Sequence, residues 1–326
     1  MLKVHLLHPP DPSAQPALLD ALSKEVSLSY GPDLPDPPDY QVLVAGRPER
    51  AHLMASANLR ALIIPFAGIP DHTRQLLREF PEIAAHNLHH NAAPTAELAL
   101  ALLLAAAKFL IPFDRALRRN DWSPRYAPNP SLSLEGKTAL VLGYGAIGQR
   151  LARACLALSM QVMAIRRHPH KTAGWAGEVA VYGPEALHNL LAQAQVLLIA
   201  LPATTETEGL IGEHELRRMP AGGVLVNVGR GTIVDQAALY HALKEGWLAA
   251  AGLDVWYHYP TDPAEPSNTP PADYPFHELE NVVMSPHRGG ASNESEIARM
   301  AQLAVLLNAA ADNQPIPNRI DLDAGY

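Results

Sequence analysis

The stretch TALVLGYGAIGQRLARACLALSMQVMAIRR, residues 138–167, constrains the fold of this chain more than any other. Gly143, Gly145 and Gly148 form the pattern G-x-G-x-x-G directly after a β-type run and at the start of a helical one. The first glycine permits a tight turn, the second lets a pyrophosphate approach the backbone, and the third lets helix and strand pack closely. The helix start, which includes Ala146 and Ile147, favours an anion. The stretch therefore predicts a strand–turn–helix unit that binds a dinucleotide through these five residues.

The next β-type run ends in two arginines, Arg166 and Arg167. A site that prefers NAD has Asp or Glu here, to accept a hydrogen bond from the ribose 2′-hydroxyl. A carboxylate would repel a 2′-phosphate, whereas a guanidinium pairs with it through two parallel hydrogen bonds. These arginines, with Lys171 close behind, favour NADP as the coenzyme and leave NAD as the second choice. The alternative is that the basic side chains only cover a solvated turn.

Short β-type runs alternate with helical stretches along most of the chain. They are LKVHLLHP, VSLSY, YQVLVAG, ALIIPFAG and EIAAHNL in the first ninety residues, then TALVLG, QVMAIR, VLLIAL, GVLVNVG, AAAGLDV and NVVMSP. Alternation of this kind predicts parallel sheets with helices on both faces. A chain of 326 residues, 48% of them apolar, is long enough for two such domains. We expect an α/β protein with two doubly wound parallel sheets.

Composition narrows the classes of partner and compartment. A net charge of −8 argues against nucleic acid or an anionic membrane as the main partner. A single cysteine, Cys155, excludes an internal disulfide framework, and the N-terminal apolar run is too short for a signal peptide. The longest apolar run, residues 97–113, contains Glu97 and Lys108 and is predicted to be a buried helix rather than a membrane span. We expect a cytoplasmic protein.

Several further motifs occur in a fixed order along the chain. They are FAGIPDH (66–72), NAAPTAELALALL (91–103), LPATTETEGLIG (201–212), MPAGGVLVNVGRGTIVDQAALYHAL (219–243), GLDVW (252–256), SPHRGG (285–290) and DAGY (323–326). Through these motifs and their order, the chain resembles the D-isomer-specific 2-hydroxyacid dehydrogenases, a family that also includes formate and phosphite dehydrogenases. The resemblance covers nearly the whole chain.

The resemblance implies a flavodoxin-like substrate domain built from residues 1–91 and 289–326. A Rossmann coenzyme domain, residues 92–288, is inserted into it, with the active site in the cleft between the two. It also implies a homodimer, with the long apolar helix and the segment RALRRNDW (115–122) in the contact.

Arg230 and His287 are the expected catalytic residues. Arg230, in NVGRG, follows a predicted strand at the sheet edge where α/β proteins bind ligands, and an arginine there can hold a carboxylate and polarise the adjacent carbonyl. His287, in SPHRGG, has a side chain that titrates near neutrality and can donate a proton. The resemblance assigns both residues these roles. It further implies substrate contacts at Ala67, Gly68, Ile69 and Asn91, a bond from Asp254 to the nicotinamide carboxamide, and coenzyme contacts at Pro202 and Thr207.

Tyr259 is a departure from the family pattern. Hydroxyacid dehydrogenases usually have a glutamate at this position, hydrogen-bonded to the catalytic histidine. Without that carboxylate the pKa of His287 falls, because the anion favoured the charged imidazolium. We expect the Tyr259 hydroxyl to be able to fix the tautomer of the ring, and reduction to work best on the acidic side of neutrality. Asp262, Glu265, Glu278 and Glu280 are alternative sources of a carboxylate.

The sequence thus predicts an NAD(P)-dependent oxidoreductase that reduces a small 2-oxo acid, such as glyoxylate or hydroxypyruvate, to the D-2-hydroxy acid. Formate- or phosphite-type oxidation, which needs no acid/base glutamate, is one alternative, and a coenzyme-sensing protein resembling a corepressor is another. The histidines of AHNLHHN, His86, His89 and His90, have no matching Asp, Glu or Cys set, and we predict no metal there.

Overall fold

The computed structural model describes residues 1–169, 179–261 and 266–325. They form two compact units, one of residues 1–91 and 291–326 and one of residues 92–290. Helices and strands are numbered in chain order. Lys171, Asp262 and Glu265, named above as candidate site residues, lie outside the described residues.

The first unit is a five-stranded parallel sheet with helices on both faces. Its strands are β1 (Leu2–Leu6), β2 (Val26–Tyr30), β3 (Val42–Val44), β4 (Ala61–Ile64) and β5 (Ala84–Asn87), in the order β2-β1-β3-β4-β5. Its helices are α1 (Gln15–Leu19), α2 (Arg50–Met54), α3 (Asp71–Leu77) and α10 (Ser295–Ala311). Side chains alternate between two cores, so that Val42 and Val44 pack with α1 and α10 while Leu43 packs with α2 and α3.

The second unit is a seven-stranded parallel sheet. Its strands are β6 (Thr138–Leu142), β7 (Gln161–Ile165), β8 (Ala180–Tyr182), β9 (Val196–Ile199), β10 (Gly223–Asn227), β11 (Leu248–Leu253) and β12 (Val282–Met284), in the order β12-β11-β10-β9-β6-β7-β8. Its helices are α4 (Ala92–Ala107), α5 (Leu110–Leu117), α6 (Ala146–Ala157), α7 (Leu187–Leu191), α8 (Glu213–Arg218) and α9 (Gln236–Lys244). Leu140 and Leu142 pack into one core and Ala139 and Val141 into the other. The predicted α/β class with two doubly wound parallel sheets is confirmed.

Two details differ from the sequence expectation. The edge strand β8 was not predicted, because its apolar run is only three residues long, and these residues are exposed or half-buried. The single helix expected over residues 97–113 is two helices, α4 and α5, bent by 68°. Pro112 explains the break, since it has no N–H to donate to the Lys108 carbonyl and its ring would clash with that carbonyl. Phe109 takes a left-handed conformation, φ 52°, and the Lys108 carbonyl accepts instead from the Ser131 hydroxyl at 3.1 Å.

Within the described residues, no single helix is long and apolar enough to cross a membrane. The bent pair α4 and α5 reaches the required length and composition only when its two helices are taken together.

Candidate active site

The glycine turn after β6 is shaped to hold a group that the chain itself does not supply. Gly143 has φ 97°, and a Cβ on it would lie 2.6 Å from the Ala200 carbonyl oxygen. A Cβ on Gly148 would lie 2.0 Å from the Gly143 carbonyl oxygen, so α6 packs directly on the turn. Gly145 is different, because no heavy atom lies within 4 Å of its Cβ position. Gly145 caps α6, whose first amides have no acceptor inside the helix and point towards this open space.

The two arginines after β7 have different environments. Arg167 forms an ion pair with Glu206, with Nη2 and Oε2 2.5 Å apart. The half-buried side chain of Arg166 has no hydrogen-bond or ion-pair partner among the described residues, although its backbone N–H donates to the Tyr182 carbonyl at 3.0 Å. A free guanidinium after the strand next to the glycine turn suits a 2′-phosphate. The site therefore fits a dinucleotide along β6 and β7.

Arg230 is held by a buried asparagine that the sequence interpretation did not single out. Asn227, 2% exposed at the end of β10, accepts from the Gly229 N–H at 3.0 Å and donates to the Arg230 carbonyl at 2.9 Å. A Cβ on Gly229 would lie 2.6 Å from the Leu201 carbonyl oxygen, and one on Gly231 would lie 2.3 Å from that of Trp256. The backbone around Arg230 is therefore fixed from three sides, while its side chain is exposed.

Asp254 fixes the segment that contains His287. Its carboxylate, 1% exposed at the end of β11, accepts hydrogen bonds from the Ser285 hydroxyl at 2.5 Å, the Arg288 N–H at 2.8 Å and the Gly289 N–H at 2.9 Å. These three donors lie on both sides of His287, which follows β12 with φ 57°. The predicted bond from Asp254 to the nicotinamide carboxamide stays a prediction. The contacts present show a carboxylate that orients the histidine segment.

The charge of His287 depends on its neighbours. Partial burial of the ring and the nearby Arg230 guanidinium lower the pKa of His287, and the Asp254 carboxylate raises it in part. Glu278 and Glu280 are exposed and form no contact with the imidazole. Among the described residues, the acid that acts on the charge of this ring is thus Asp254.

Tyr259 lies beside His287 but does not hydrogen-bond to it within the described structure. The two ring centroids are 5.5 Å apart, with the planes inclined by 51°. The Tyr259 hydroxyl accepts from the Trp256 N–H at 3.0 Å, so the expectation that it fixes the imidazole tautomer is not met by these contacts. Burial raises the pKa of Tyr259, and its hydroxyl keeps a proton that it can donate.

Pro202 and Thr207, which are also predicted to contact the coenzyme, lie in the loop after β9. Thr207 Oγ1 donates to the Pro202 carbonyl at 2.7 Å and accepts from the Thr204 N–H at 2.8 Å. These bonds tie the loop on itself at the carboxyl edge of the sheet. Their roles towards a coenzyme stay predictions.

The strand order places these groups in a row. Along β12, β11, β10, β9, β6 and β7, the carboxyl ends are followed by His287, Asp254, Arg230, Pro202, Gly143 and Arg166. Neighbouring strands lie about 4.8 Å apart, so His287 and Arg230 are at one end of the row and the glycine turn and Arg166 at the other.

The predicted substrate loop lies in the first unit, directly after β4. Asn87, 3% exposed at the end of β5, donates to the Ala67 carbonyl at 2.6 Å and so ties the loop that continues through Gly68 and Ile69. Asn91 is half-buried and is the last residue of this unit before α4.

Among the three histidines near β5, the imidazole of His86 makes a hydrogen bond in the described structure. His86 bonds to the Pro317 carbonyl at 2.9 Å through Nδ1, and the His89 N–H donates to Gln302. Burial, with Arg299 and His89 nearby, lowers the pKa of His90 to about 4. In the described part of the chain, one group has the spacing of metal ligands, and it lies elsewhere, at His188, His214 and Glu215.

Comparison with known proteins identifies the family of the chain. Residues 100–289 match the family model described as D-isomer specific 2-hydroxyacid dehydrogenase, NAD binding domain. The chain is 40% identical over 215 residues to a glyoxylate reductase of Korarchaeum cryptofilum, covering 64% of this chain and 60% of that protein. It is 31% identical over 304 residues to glyoxylate/hydroxypyruvate reductase B of Yersinia pestis, covering 91% and 85% of the two chains.

A solved structure shows the same fold over the full length. It is a D-isomer specific 2-hydroxyacid dehydrogenase from Xanthobacter autotrophicus Py2, in complex with NADPH and MES, with a TM-score of 0.79 and 23% identity, covering 100% of this chain and 99% of that one. The family match places the NAD-binding domain in the second unit. The predicted resemblance is confirmed, and the chain belongs to the D-isomer-specific 2-hydroxyacid dehydrogenase family.

Proposed function

We propose that this protein reduces a small 2-oxo acid to the D-2-hydroxy acid with NADPH. The observation that carries the proposal is the row of groups along the second sheet, from the phosphate turn at β6 to Arg230 and His287 beyond β10 and β12. The names of the relatives, glyoxylate reductase and glyoxylate/hydroxypyruvate reductase, point to the same chemistry. When bound, the coenzyme supplies the hydride that the substrate carbonyl carbon accepts.

Arg230 binds the substrate carboxylate and polarises its carbonyl. Its guanidinium can donate two parallel hydrogen bonds, and it already donates through Nη1 to the Gly229 carbonyl at 2.7 Å, which limits the positions the side chain can take. Because the hydrogen bonds of Asn227 hold the backbone of Gly229 and Arg230, the arginine needs little reorganisation when charge develops on the carbonyl oxygen of the substrate.

His287 donates the proton that the carbonyl oxygen needs. Its neighbour Arg230 disfavours the charged imidazolium and thereby makes the protonated ring a stronger acid. Asp254 opposes this effect and fixes the backbone on both sides of the ring, so it is a positioning residue in this mechanism. Tyr259 packs against the imidazole and limits its rotation.

The remaining proposed roles concern binding. The amides around Ala67, Gly68 and Ile69 hold the substrate carboxylate, with Asn91 nearby, and Pro202 and Thr207 line the coenzyme site. Arg166, which has no ion-pair partner in the described residues, takes the 2′-phosphate of NADPH, with Arg167 beside it.

A homodimer is also proposed, and exposed apolar side chains in the second unit support it. On α5 and the arm after it, Leu117 is 51% exposed, Trp122 60% and Tyr126 81%. Such a patch is typical of a protein contact. Sedimentation of the wild type and of Trp122→Ser tests this, and a wild-type monomer would contradict it.

The deciding experiment follows NADPH oxidation with glyoxylate, hydroxypyruvate and pyruvate, with the product analysed for its D configuration. Arg230→Gln and His287→Gln should each abolish most turnover. Arg218→Gln and His277→Gln, both at exposed positions away from the row, serve as matched controls and should behave as wild type. No turnover by the wild type, or equal loss in the controls, would reject the proposal. Binding of NADPH without any turnover would favour a coenzyme sensor.

A further inference from the structure

A cavity in the first unit has no role in the chemistry described so far. Its volume is about 340 Å³, and its walls come from the ends of β1, β3 and β4 and from one face of α10. Glyoxylate has no side chain, so a substrate of that size leaves a cavity of this kind unused.

The strand order explains why a cavity forms here. In the order β2-β1-β3-β4-β5, β1 and β3 are neighbours. The helix that follows β1 packs into one core with Ala14 and Leu18, while the helix that follows β3 packs into the other with Leu53. The two connections therefore leave the carboxyl edge in opposite directions, and the crevice between them is where open α/β sheets bind ligands.

The ionisable side chains that line the cavity are all basic. None of the residues that line it is acidic, although the chain has 33 Asp and Glu residues and a net charge of −8. Arg47, Arg299 and His8 contribute the polar groups of the walls, and the rest are apolar side chains such as Leu6, Val44 and Met300. Arg299 is paired with Glu296. Arg47 is exposed and has no hydrogen-bond or ion-pair partner among the residues that the structure describes.

Two contacts hold the backbone of Gly46, the residue before Arg47, in place. The buried hydroxyl of Thr73 donates to the Gly46 carbonyl at 2.9 Å. A Cβ on Gly46 would lie 2.5 Å from the Phe66 ring, which shows how closely that ring covers the turn. Phe66 lines the cavity and directly precedes Ala67, so the cavity adjoins the loop proposed to hold the substrate carboxylate.

We infer that this cavity binds the side chain of the substrate and that Arg47 pairs with a second anionic group at the far end of that side chain. The preferred substrate class is thus a 2-oxo acid with a short, mostly apolar chain that ends in a carboxylate or a phosphate. The inference rests on the proposed function, since it concerns the substrate of the same reaction.

The experiment compares kcat/KM for glyoxylate, 2-oxopentanoate, 2-oxoglutarate and phosphohydroxypyruvate in the wild type, Arg47→Met and Arg47→Lys. The wild type should prefer 2-oxoglutarate or phosphohydroxypyruvate, the two acids with a second anionic group, to 2-oxopentanoate. Arg47→Met should lose about ten- to hundredfold on that acid, the value of a charge-assisted hydrogen bond, and stay within about twofold on glyoxylate. Arg47→Lys should recover part of the loss, because it keeps the charge. Whichever of these two acids responds identifies a carboxylate or a phosphate as the second group.

The matched control is Arg50→Met, three residues on, whose side chain pairs with Glu79 on the surface and does not line the cavity. Its substrate preference should equal that of the wild type. The inference is overturned if glyoxylate is reduced but 2-oxopentanoate is preferred to both acids with a second anionic group, or if Arg47→Met affects all four acids equally. If none of the four acids is reduced, the proposed function fails as well, so the two failures are distinguishable.

Discussion

The carboxyl edges of the two sheets are built in different ways. In the second unit the edge is fixed by backbone contacts, with glycines that tolerate no Cβ and with the buried side chains of Asn227 and Asp254 bonded to loop amides. In the first unit the edge presents a cavity whose charged side chains include Arg47, which has no hydrogen-bond or ion-pair partner among the described residues. In the proposed mechanism, the groups that carry out the reaction therefore depend on exact backbone placement, whereas the inferred substrate choice depends on side chains that can change without rebuilding the fold.

The largest effect is expected from Arg230→Gln. If the second edge carries the reaction, loss of the guanidinium should lower kcat/KM for every 2-oxo acid by about 10²–10³-fold, the usual cost of one electrostatic donor. Steady-state kinetics with glyoxylate measures it. A fall in kcat/KM for one substrate alone would show that Arg230 determines specificity. The two sheet edges would then not differ in the way described above.

Asp254→Asn tests whether the buried carboxylate also controls the proton donor. In the proposed mechanism reduction requires protonated His287, so activity should be present below the pKa of His287 and be lost as pH rises through it. That pKa lies below its usual value, which places the falling limb on the acidic side of neutrality. The variant removes the neighbour that raises the pKa, and the limb should move to still lower pH.

The measurement is kcat/KM against pH, with the melting temperature recorded beside it. Asp273→Asn, an exposed acid that bonds to His258, is the control and should leave the limb in place. A drop in melting temperature with no movement of the limb would reduce Asp254 to a structural role.

Arg166→Ser should alter the choice of coenzyme without affecting the chemistry. The Kd of NADPH should rise about ten- to hundredfold, because a charge-assisted bond to the 2′-phosphate is lost, while the Kd of NADH stays unchanged. Fluorescence titration with both coenzymes measures it, with Arg218→Ser as the control. An equal rise in the Kd of both coenzymes would show that Arg166 does not distinguish a 2′-phosphate from a 2′-hydroxyl.

The smallest effect is expected in the first unit, from Thr73→Val. It removes the hydroxyl bonded to the Gly46 carbonyl and should cost about 1 kcal/mol of the free energy of unfolding, with little change in kcat/KM for glyoxylate. Denaturant unfolding measures it, and Thr73→Ser, which keeps the hydroxyl, is the control. A large loss of glyoxylate turnover would show that the first edge is as sensitive to backbone placement as the second.

The sequence predicted the two parallel sheets because apolar runs and turn residues are local signals. It also predicted that Arg230 and His287 follow strands, as they do in the structure, because both lie in motifs directly after apolar runs. It missed the bonds of Asp254, since a carboxylate that accepts hydrogen bonds from Ser285 and Gly289 does so across more than thirty residues of sequence. Asn227 was not singled out, although its bonds are local and it is the first residue of the motif NVGRG. The cavity beside Arg47 could not be predicted either, because its walls come from three strand ends and a helix far along the chain.

The conformation of His287 has a consequence for how the chain can vary. At φ 57° a side chain crowds its own backbone, at a cost of roughly 1–2 kcal/mol, and glycine is the residue that avoids this cost. His287→Gly should therefore fold more stably than His287→Ala, while both lack the proton donor; equal melting temperatures would contradict this. The chain therefore has an imidazole at a position where the backbone conformation favours glycine, and the folded state is less stable as a result.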